Sequence, residues 1–315
     1  MTRSARTAAL LVLAVVAAAC GGASSAPLPT AGGVDATTFA AALASTDLFV
    51  GAPQRVQIGV FSSTPDAGVA LVTSGTISVV LAPFQDGDGT PVEATARYIA
   101  APGTAGSDAG APALTSPSDA RGVYQMEASF DEAGIWQADV AVGIDGDVVA
   151  LATQFQVLPA PALPAPGDRA LRTSNLTATD RPAAAVDSRA AVDGLVPDVH
   201  LHTTTIADAL RRGIPALVLF ATPAFCQSQF CGPDVEWLAQ LADERPTDAA
   251  YIHVEIWADF EAQEVNEAAL DWLYRDGELT EPWLYLIDAD GRIADRWSPL
   301  FDPAEVEAAL DAATA

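Results

Sequence analysis

Two cysteines between a strand-like run and a helix-like segment constrain the C-terminal part of this chain more than any other feature. The apolar residues 216–220 lead through Thr-Pro to Cys226 and Cys231, which are separated by four residues. Gly232-Pro233 then opens an amphipathic segment. Proline suits the first turn of a helix because the N–H that it lacks would have no partner within the helix there. The pattern predicts a strand, a loop with cysteines, and a helix whose N-terminus favours a thiolate.

The spacing of the two cysteines restricts where this helix begins. Residues five apart in a regular helix lie about 7.5 Å apart along its axis and on different faces, which is too far for a disulfide. If Cys226 and Cys231 pair, one of them must therefore lie outside the helix. Gly232-Pro233 places the helix start near Cys231, so we expect Cys226 in the preceding loop.

Residues 1–20 are typical of an export signal. Arg3 and Arg6 precede the apolar residues 8–19, a stretch too short to span a bilayer. The sequence Ala-Ala-Ala-Cys that ends at Cys20 resembles the lipobox of bacterial lipoproteins, although leucine is more usual at Ala17. The resemblance implies that Cys20 is lipidated and anchors the chain to the extracytoplasmic face of the cell membrane. Secretion without a lipid, after cleavage near Cys20, is the alternative.

Length and charge limit the classes of function. The chain has 315 residues, half of them hydrophobic, which predicts two domains with sizeable cores. The net charge is -26 and every basic residue is arginine, so binding to nucleic acid is not expected. We interpret the acidic composition as an adaptation that maintains solubility or that suits a salt-rich environment. If Cys20 carries a lipid, Cys226 and Cys231 remain as a pair in a compartment that permits disulfides.

The N-terminal half is predicted to be all-β. Residues 21–46 are interpreted as a flexible tether with a short helix at 38–44. Residues 47–158 alternate between apolar and polar, with a hairpin signal at Asp145-Gly146, and so predict a β-sandwich domain. Two short segments, Gly122-Val123-Tyr124 and Gly134-Ile135-Trp136, resemble the end of small bacterial immunoglobulin-like domains of the YtkA/FixH type. Residues 159–194 form a Pro/Ala-rich linker and arm.

Residues 195–315 change to an α/β pattern. Strands and helices alternate, with a strand at 199–204, a strand at 283–287 directly after Pro282, and a hairpin within 287–293. Together with the cysteine loop, this order resembles the thioredoxin-like superfamily, in particular extracytoplasmic proteins of the TlpA and Sco kind. The spacing departs from the family, since thioredoxins have two residues and Sco proteins three between the cysteines. This resemblance covers residues 195–315 and implies an α/β thioredoxin-like domain there. With the immunoglobulin-like sandwich predicted at residues 47–158, the expected fold class is an all-β sandwich followed by an α/β thioredoxin-like domain.

The same resemblance implies a thiol-disulfide oxidoreductase that acts on protein thiols and disulfides. Cys226 matches the attacking cysteine and Cys231 the resolving one, although the position of Cys231 near the helix dipole would favour the reverse. Phe225, Glu281 and Pro282 are expected to line the groove that receives the partner. No metal or organic cofactor is expected, and electrons would come from another thiol protein at the membrane.

Two other interpretations of the cysteine pair remain open. The spacing and the preceding Thr-Pro also resemble atypical two-cysteine peroxiredoxins, although Thr222 is one residue too far from Cys226 and Pro282 stands where that family has arginine. The pair could instead be a structural disulfide in a non-enzymatic thioredoxin-like binding module, where so small a ring adds roughly 2 kcal/mol.

A copper site is a further alternative. The histidines His200 and His202 are expected on one face of a strand, with His253 on another strand. Thiolates and imidazole together suit copper. None of the three histidines, however, matches the position of the copper ligand in Sco proteins.

Overall fold

The alternating segments of the N-terminal half form one large antiparallel sheet in the computed structural model, which describes residues 37–64, 68–85, 87–226 and 228–315. Its nine strands are β1 (Thr38–Leu43), β2 (Gln54–Thr64), β3 (Gly68–Thr73), β4 (Thr76–Pro83), β5 (Val92–Ala100), β6 (Ala113–Thr115), β7 (Gly122–Ala128), β8 (Gly134–Ile144) and β9 (Asp147–Val157). The strand order is β6-β3-β2-β7-β5-β4-β8-β9, and β1 pairs with β2 beside this path.

Alternate side chains of these strands form the first hydrophobic core. Val56, Ile58 and Val60 of β2 all point into it, as their period of two predicts. The hairpin predicted between β8 and β9 is also confirmed, because both turn residues, Asp145 and Gly146, have the positive φ values that this turn requires. The alternation of apolar residues therefore places β2, β4, β7, β8 and β9 correctly, and the Asp-Gly sequence places the turn.

The C-terminal half contains a second, smaller sheet. The remaining strands are β10 (Ala216–Ala221), β11 (Ala250–Glu255), β12 (Trp257–Asp259), β13 (Glu264–Val265), β14 (Tyr274–Arg275), β15 (Glu278–Leu279), β16 (Trp283–Ile287) and β17 (Ile293–Trp297). Four of them form a sheet of order β11-β10-β16-β17, in which β10 and β11 are parallel and the other pairs antiparallel. The short strands form two separate pairs, β12 with β13 and β14 with β15.

Helices cover both faces of the four-stranded sheet. They are α1 (Ile206–Arg212), α2 (Cys231–Glu244), α3 (Glu267–Leu273) and α4 (Pro303–Thr314). Val218 and Phe220 of β10 face α1 and α3, whereas Leu217 and Leu219 face α2 and α4. Burial on both faces explains why β10 is a continuous apolar run without alternation.

The two sheets are joined by ion pairs. Arg55 of β2 reaches Asp295 and Glu305 at 2.9 Å each, and Arg97 of β5 reaches Asp302 at 2.8 Å and Glu305 at 2.6 Å. All five side chains are partly buried, so water screens these contacts less than it screens ion pairs on an open surface. The large sheet is thus bound directly to β17 and α4.

The predicted fold class, an immunoglobulin-like sandwich followed by an α/β thioredoxin-like domain, is wrong. The structure is mostly β, with 40% strand against 19% helix, and a large antiparallel sheet dominates it, so the described residues show no clear separate α/β thioredoxin domain. Residues from Thr37 to Ala315 form one compact unit. Sequence patterns describe single elements and gave no sign of the ion pairs that tie the two sheets together.

Two local predictions also differ from the structure. Residues 38–43 of the expected tether form β1, which pairs with β2 along its whole length, instead of a helix. Residues 199–202 form a short 3-10 helix instead of a strand. Each segment is short, so its pairing or packing outweighs its weak intrinsic preference.

Candidate functional site

The cysteine pair lies in the loop that joins β10 to α2. Cys231 is the first residue of α2, and Cys226 precedes the helix, as the spacing predicts. The two form a disulfide with a Cα–Cα distance of 6.0 Å, within the usual range for such a bond. Of the loop residues 222–230, only Gln227 lies outside the described part of the chain.

The two sulfurs differ in exposure. Cys231 is fully buried and belongs to the same core as Val235 and Leu238 of α2. Cys226 is only half-buried and sits at the edge of that core. A thiol of another protein can therefore approach the Sγ atom of Cys226, whereas the Sγ atom of Cys231 is covered.

Two polar groups contact the exposed sulfur. The backbone N–H of Cys231 donates to the Sγ atom of Cys226 at 3.4 Å, and the Oγ atom of Ser228 lies 3.2 Å from the same sulfur. Cys226 lies outside the helix, but its sulfur receives the first N–H of α2. These contacts, together with the dipole of a 14-residue helix, favour negative charge on Cys226.

A carboxyl group faces the buried sulfur. The Oε2 atom of Glu281, in the segment before β16, lies 3.6 Å from the Sγ atom of Cys231. Burial and, to a smaller extent, the nearby Glu255 raise the pKa of Glu281 to about 7. Near neutral pH this carboxyl group exists in both protonation states, so it can accept a proton from a sulfur or return one.

The other two predicted groove residues are Phe225, which directly precedes Cys226, and Pro282, which directly follows Glu281. Phe225 stacks on Phe260 with ring centroids 3.8 Å apart, and Phe260 is 37% exposed. These rings form an aromatic surface beside Cys226. Pro282 is buried, its peptide bond with Glu281 is cis, and its carbonyl accepts a hydrogen bond from Ser298 at 2.7 Å.

Sequence reasoning missed a buried polar network behind the loop. Glu255, in β11, is 1% exposed, and its Oε2 atom accepts the N–H of Ser188 at 2.8 Å. The Oγ atom of Ser188 in turn accepts the N–H of Ala224 in the cysteine loop at 3.1 Å. His253 and Glu255 are ionisable residues within an otherwise apolar strand, and that contrast was the signal available in the sequence.

Comparison of the chain with protein-family models, with curated proteins and with solved structures gave no match. The roles of Cys226 and Cys231 that the family resemblance implied therefore stay predictions.

The predicted lipid anchor lies outside the described residues, because these begin at Thr37 and Cys20 precedes them. Within the described residues, no helix is long and apolar enough to cross a membrane. The anchor at Cys20 and the extracytoplasmic location remain predictions.

Proposed function

We propose that this protein is a thiol-disulfide oxidoreductase that exchanges disulfides with other proteins through Cys226 and Cys231. One observation carries the proposal: the exposed sulfur receives the first N–H of α2, while the buried sulfur faces a carboxyl group with a pKa of about 7. Exchange needs an accessible sulfur and a second sulfur that gains and loses a proton. A disulfide that only held the loop closed would need neither group.

The exchange is reversible, and we describe it from the reduced state. The thiolate of Cys226 attacks a disulfide of the partner, one sulfur of the partner leaves as a thiolate, and a mixed disulfide forms. Glu281 accepts the proton of Cys231, whose thiolate then attacks Cys226. The second sulfur of the partner leaves, so the partner becomes a dithiol and the Cys226–Cys231 disulfide forms.

The aromatic surface formed by Phe225 and Phe260 supports a preference among partners. It lies beside the exposed sulfur and is open to solvent. We propose that it contacts an apolar side chain next to the partner's cysteine, because burying such a chain contributes roughly 25 cal/mol per Å2.

Reduction of peroxide is less well supported. In the peroxidase interpretation Thr222 would act next to Cys226. Its side chain is fully buried, and its Oγ atom lies 3.5 Å from the Oγ atom of Ser188. Thr222 therefore belongs to the network behind the loop.

The place of action that we propose follows from the N-terminal sequence. A lipid on Cys20 would hold the chain at the extracytoplasmic face of the cell membrane, where disulfides persist. Its partners would then be other proteins of that compartment. Mass spectrometry of the protein isolated from membranes tests this, because a diacylated Cys20 at the mature N-terminus is the expected species and an unlipidated terminus would contradict it.

The reduction potential of the pair tests the function. We would titrate the purified protein in buffers of reduced and oxidised dithiothreitol and follow alkylation by mass. A potential above about -270 mV, with exchange in seconds, is expected of an exchange enzyme, whereas a structural disulfide resists reduction below about -300 mV. The latter result would refute the proposal.

A peroxide assay on the same sample separates the remaining alternative. If the reduced protein is an exchange enzyme, hydrogen peroxide should oxidise Cys226 no faster than it oxidises free cysteine. Rapid consumption of peroxide with formation of a sulfenate at Cys226 would instead identify a peroxidase.

A further inference from the structure

A second cluster of ionisable side chains is buried behind the cysteine loop. Asp187 caps a 3-10 helix at Ser188–Ala191, His202 ends the 3-10 helix Val199–His202, and His253 lies within β11. Each of the three clustered side chains is at most 1% exposed. One ligand atom from each lies within 4.8 Å of the others. Three separate parts of the chain thus bring an N,N,O set of donors to one point.

The hydrogen bond of His253 determines which of its nitrogens faces the cluster. Its Nε2 atom lies 3.1 Å from the backbone oxygen of Ala221, which can only accept, so Nε2 carries the proton. In the neutral ring the Nδ1 atom then presents a lone pair to the Oδ2 atom of Asp187. Two electron pairs that face each other in a buried site repel, unless a cation lies between them.

The two distances from Asp187 to the histidine nitrogens match those between neighbouring ligands of a metal ion. The Oδ2 atom of Asp187 lies 3.4 Å from Nδ1 of His253 and 3.5 Å from Nε2 of His202, longer than ordinary hydrogen bonds. Within the part of the chain that the structure describes, neither these two nitrogens nor Nδ1 of His202 has a hydrogen-bond partner. Metal–ligand bonds of about 2.0–2.1 Å in a tetrahedron place neighbouring ligand atoms about 3.4 Å apart.

A backbone group orients one of the three ligands. The carbonyl of Ala221 orients His253 as outer partners of metal ligands do.

We propose that Asp187, His202 and His253 bind one divalent transition-metal ion of the zinc type. Two imidazoles and a carboxylate suit zinc, and three protein ligands leave one position of the tetrahedron for a further ligand. The ion would link both 3-10 helices to β11 and so stabilise the fold. Arg189, which is partly exposed, also contacts the Oδ2 atom of Asp187 at 2.7 Å.

The site is distinct from the cysteine pair, and the redox state separates the two. Cys226, Cys231 and Glu281 form a second possible ligand group when the thiols are reduced, but a disulfide offers no thiolate. Zinc should therefore be titrated into the chelator-stripped, oxidised protein. The expected result is one ion per chain and a higher melting temperature. Failure of the oxidised protein to bind zinc would overturn the proposal.

X-ray absorption at the zinc edge identifies the ligands without any variant. Scattering from two imidazoles with an oxygen, and no sulfur, is expected from the oxidised protein. A shell of oxygen alone would show that zinc sits on surface carboxylates, and a shell with sulfur would place it at the cysteines. Both results would refute the His–Asp site.

Histidine variants provide an independent check. His202→Gln should weaken zinc binding by more than roughly 100-fold, since even the loss of a residue that only orients a ligand costs 10–100-fold. His200→Gln is the matched control, because the side chain of His200 is 39% exposed and faces Asp243. Far-UV circular dichroism shows whether each variant is folded. A folded His202→Gln protein that binds zinc as tightly as the control would contradict the proposal.

Discussion

The Oε2 atom of Glu281 lies 3.6 Å from the Sγ atom of Cys231, although fifty residues separate the two in the sequence. This contact places a carboxyl group with a pKa of about 7 against the sulfur that no partner can reach. In the proposed exchange, the buried sulfur must lose its proton before it can attack. Glu281 is the only carboxyl group grouped with the two sulfurs in the described part of the chain.

We expect the two cysteines to behave differently when each is replaced. Cys231→Ser should accumulate a mixed disulfide through Cys226, because the resolving thiol is absent. In Cys226→Ser the remaining thiol is buried and reacts only after local opening. An opening that costs about 3 kcal/mol would slow its alkylation about 100-fold relative to Cys226 in the other variant.

Alkylation followed by mass spectrometry measures both rates under identical conditions. The double variant is the control for labelling elsewhere, including at Cys20. Equal alkylation rates of the two single variants would contradict the assignment of Cys226 as the attacking residue.

The resolving step should depend on Glu281. Glu281→Gln keeps the shape of the side chain but cannot accept a proton, so resolution of the mixed disulfide should slow by about 100-fold, a typical contribution of a general base. The dependence of the rate on a group with a pKa of about 7 should also disappear. Stopped-flow measurement from pH 5 to pH 9 checks both effects.

Glu278→Gln is the matched control for this variant. Glu278 is three residues away in β15 and is exposed. Its replacement should leave the rate and the pH profile unchanged. If Glu281→Gln matches this control, Glu281 does not act as the proton acceptor.

The same carboxyl group should influence stability. The pKa of Glu281 is about 7 in the folded protein against roughly 4.3 in an unfolded chain. Folding therefore favours the protonated form of Glu281. Its contribution to the free energy of unfolding is present in full below about pH 4.3 and is lost as the pH rises through 7. The loss is on the order of 3 kcal/mol.

Urea unfolding of the oxidised protein at pH 4.5 and pH 7.5 measures this contribution. Glu281→Gln should lose less stability than the unaltered protein over the same interval. Other buried carboxyl groups, such as Asp234, whose pKa burial also raises, remain in both proteins and cancel in the comparison. If the free energy of unfolding changes equally with pH in the two proteins, ionisation of Glu281 does not destabilise the folded state, and the prediction is wrong.

The ion pairs between the sheets should stabilise the fold as one unit. Arg55→Ala leaves Asp295 and Glu305 partly buried without this partner, so we expect a loss of about 1–3 kcal/mol. Arg211→Ala breaks an exposed pair with Asp208 and should change stability by less than about 0.5 kcal/mol.

Urea unfolding, followed by circular dichroism and by tryptophan fluorescence, tests this prediction. Coincident transitions for the two probes are expected of a single cooperative unit. Two separate transitions in the unaltered protein, or equal effects of the two replacements, would contradict it.

Several features could be predicted from sequence because they depend on neighbouring residues. The period of two in β2, the apolar run of β10 and the turn at Asp145-Gly146 all encode local geometry. The spacing of Cys226 and Cys231 likewise required that one of them lie outside the helix if they pair, and Gly232-Pro233 placed the helix start near Cys231. The short 3-10 helix at residues 199–202 was mistaken for a strand, because four residues carry too little periodicity to distinguish the two.

The sequence by itself determined where β2, β4, β7, β8 and β9 of the large sheet run and that the cysteines lie near the start of a helix. Only the tertiary structure decided which groups meet: Glu281 with Cys231, His202 with His253, and Arg55 with Asp295. The pattern of a segment reports its period and its burial, but a buried polar residue gives no sign of its partner. Those partners come from distant parts of the chain, and folding brings them together.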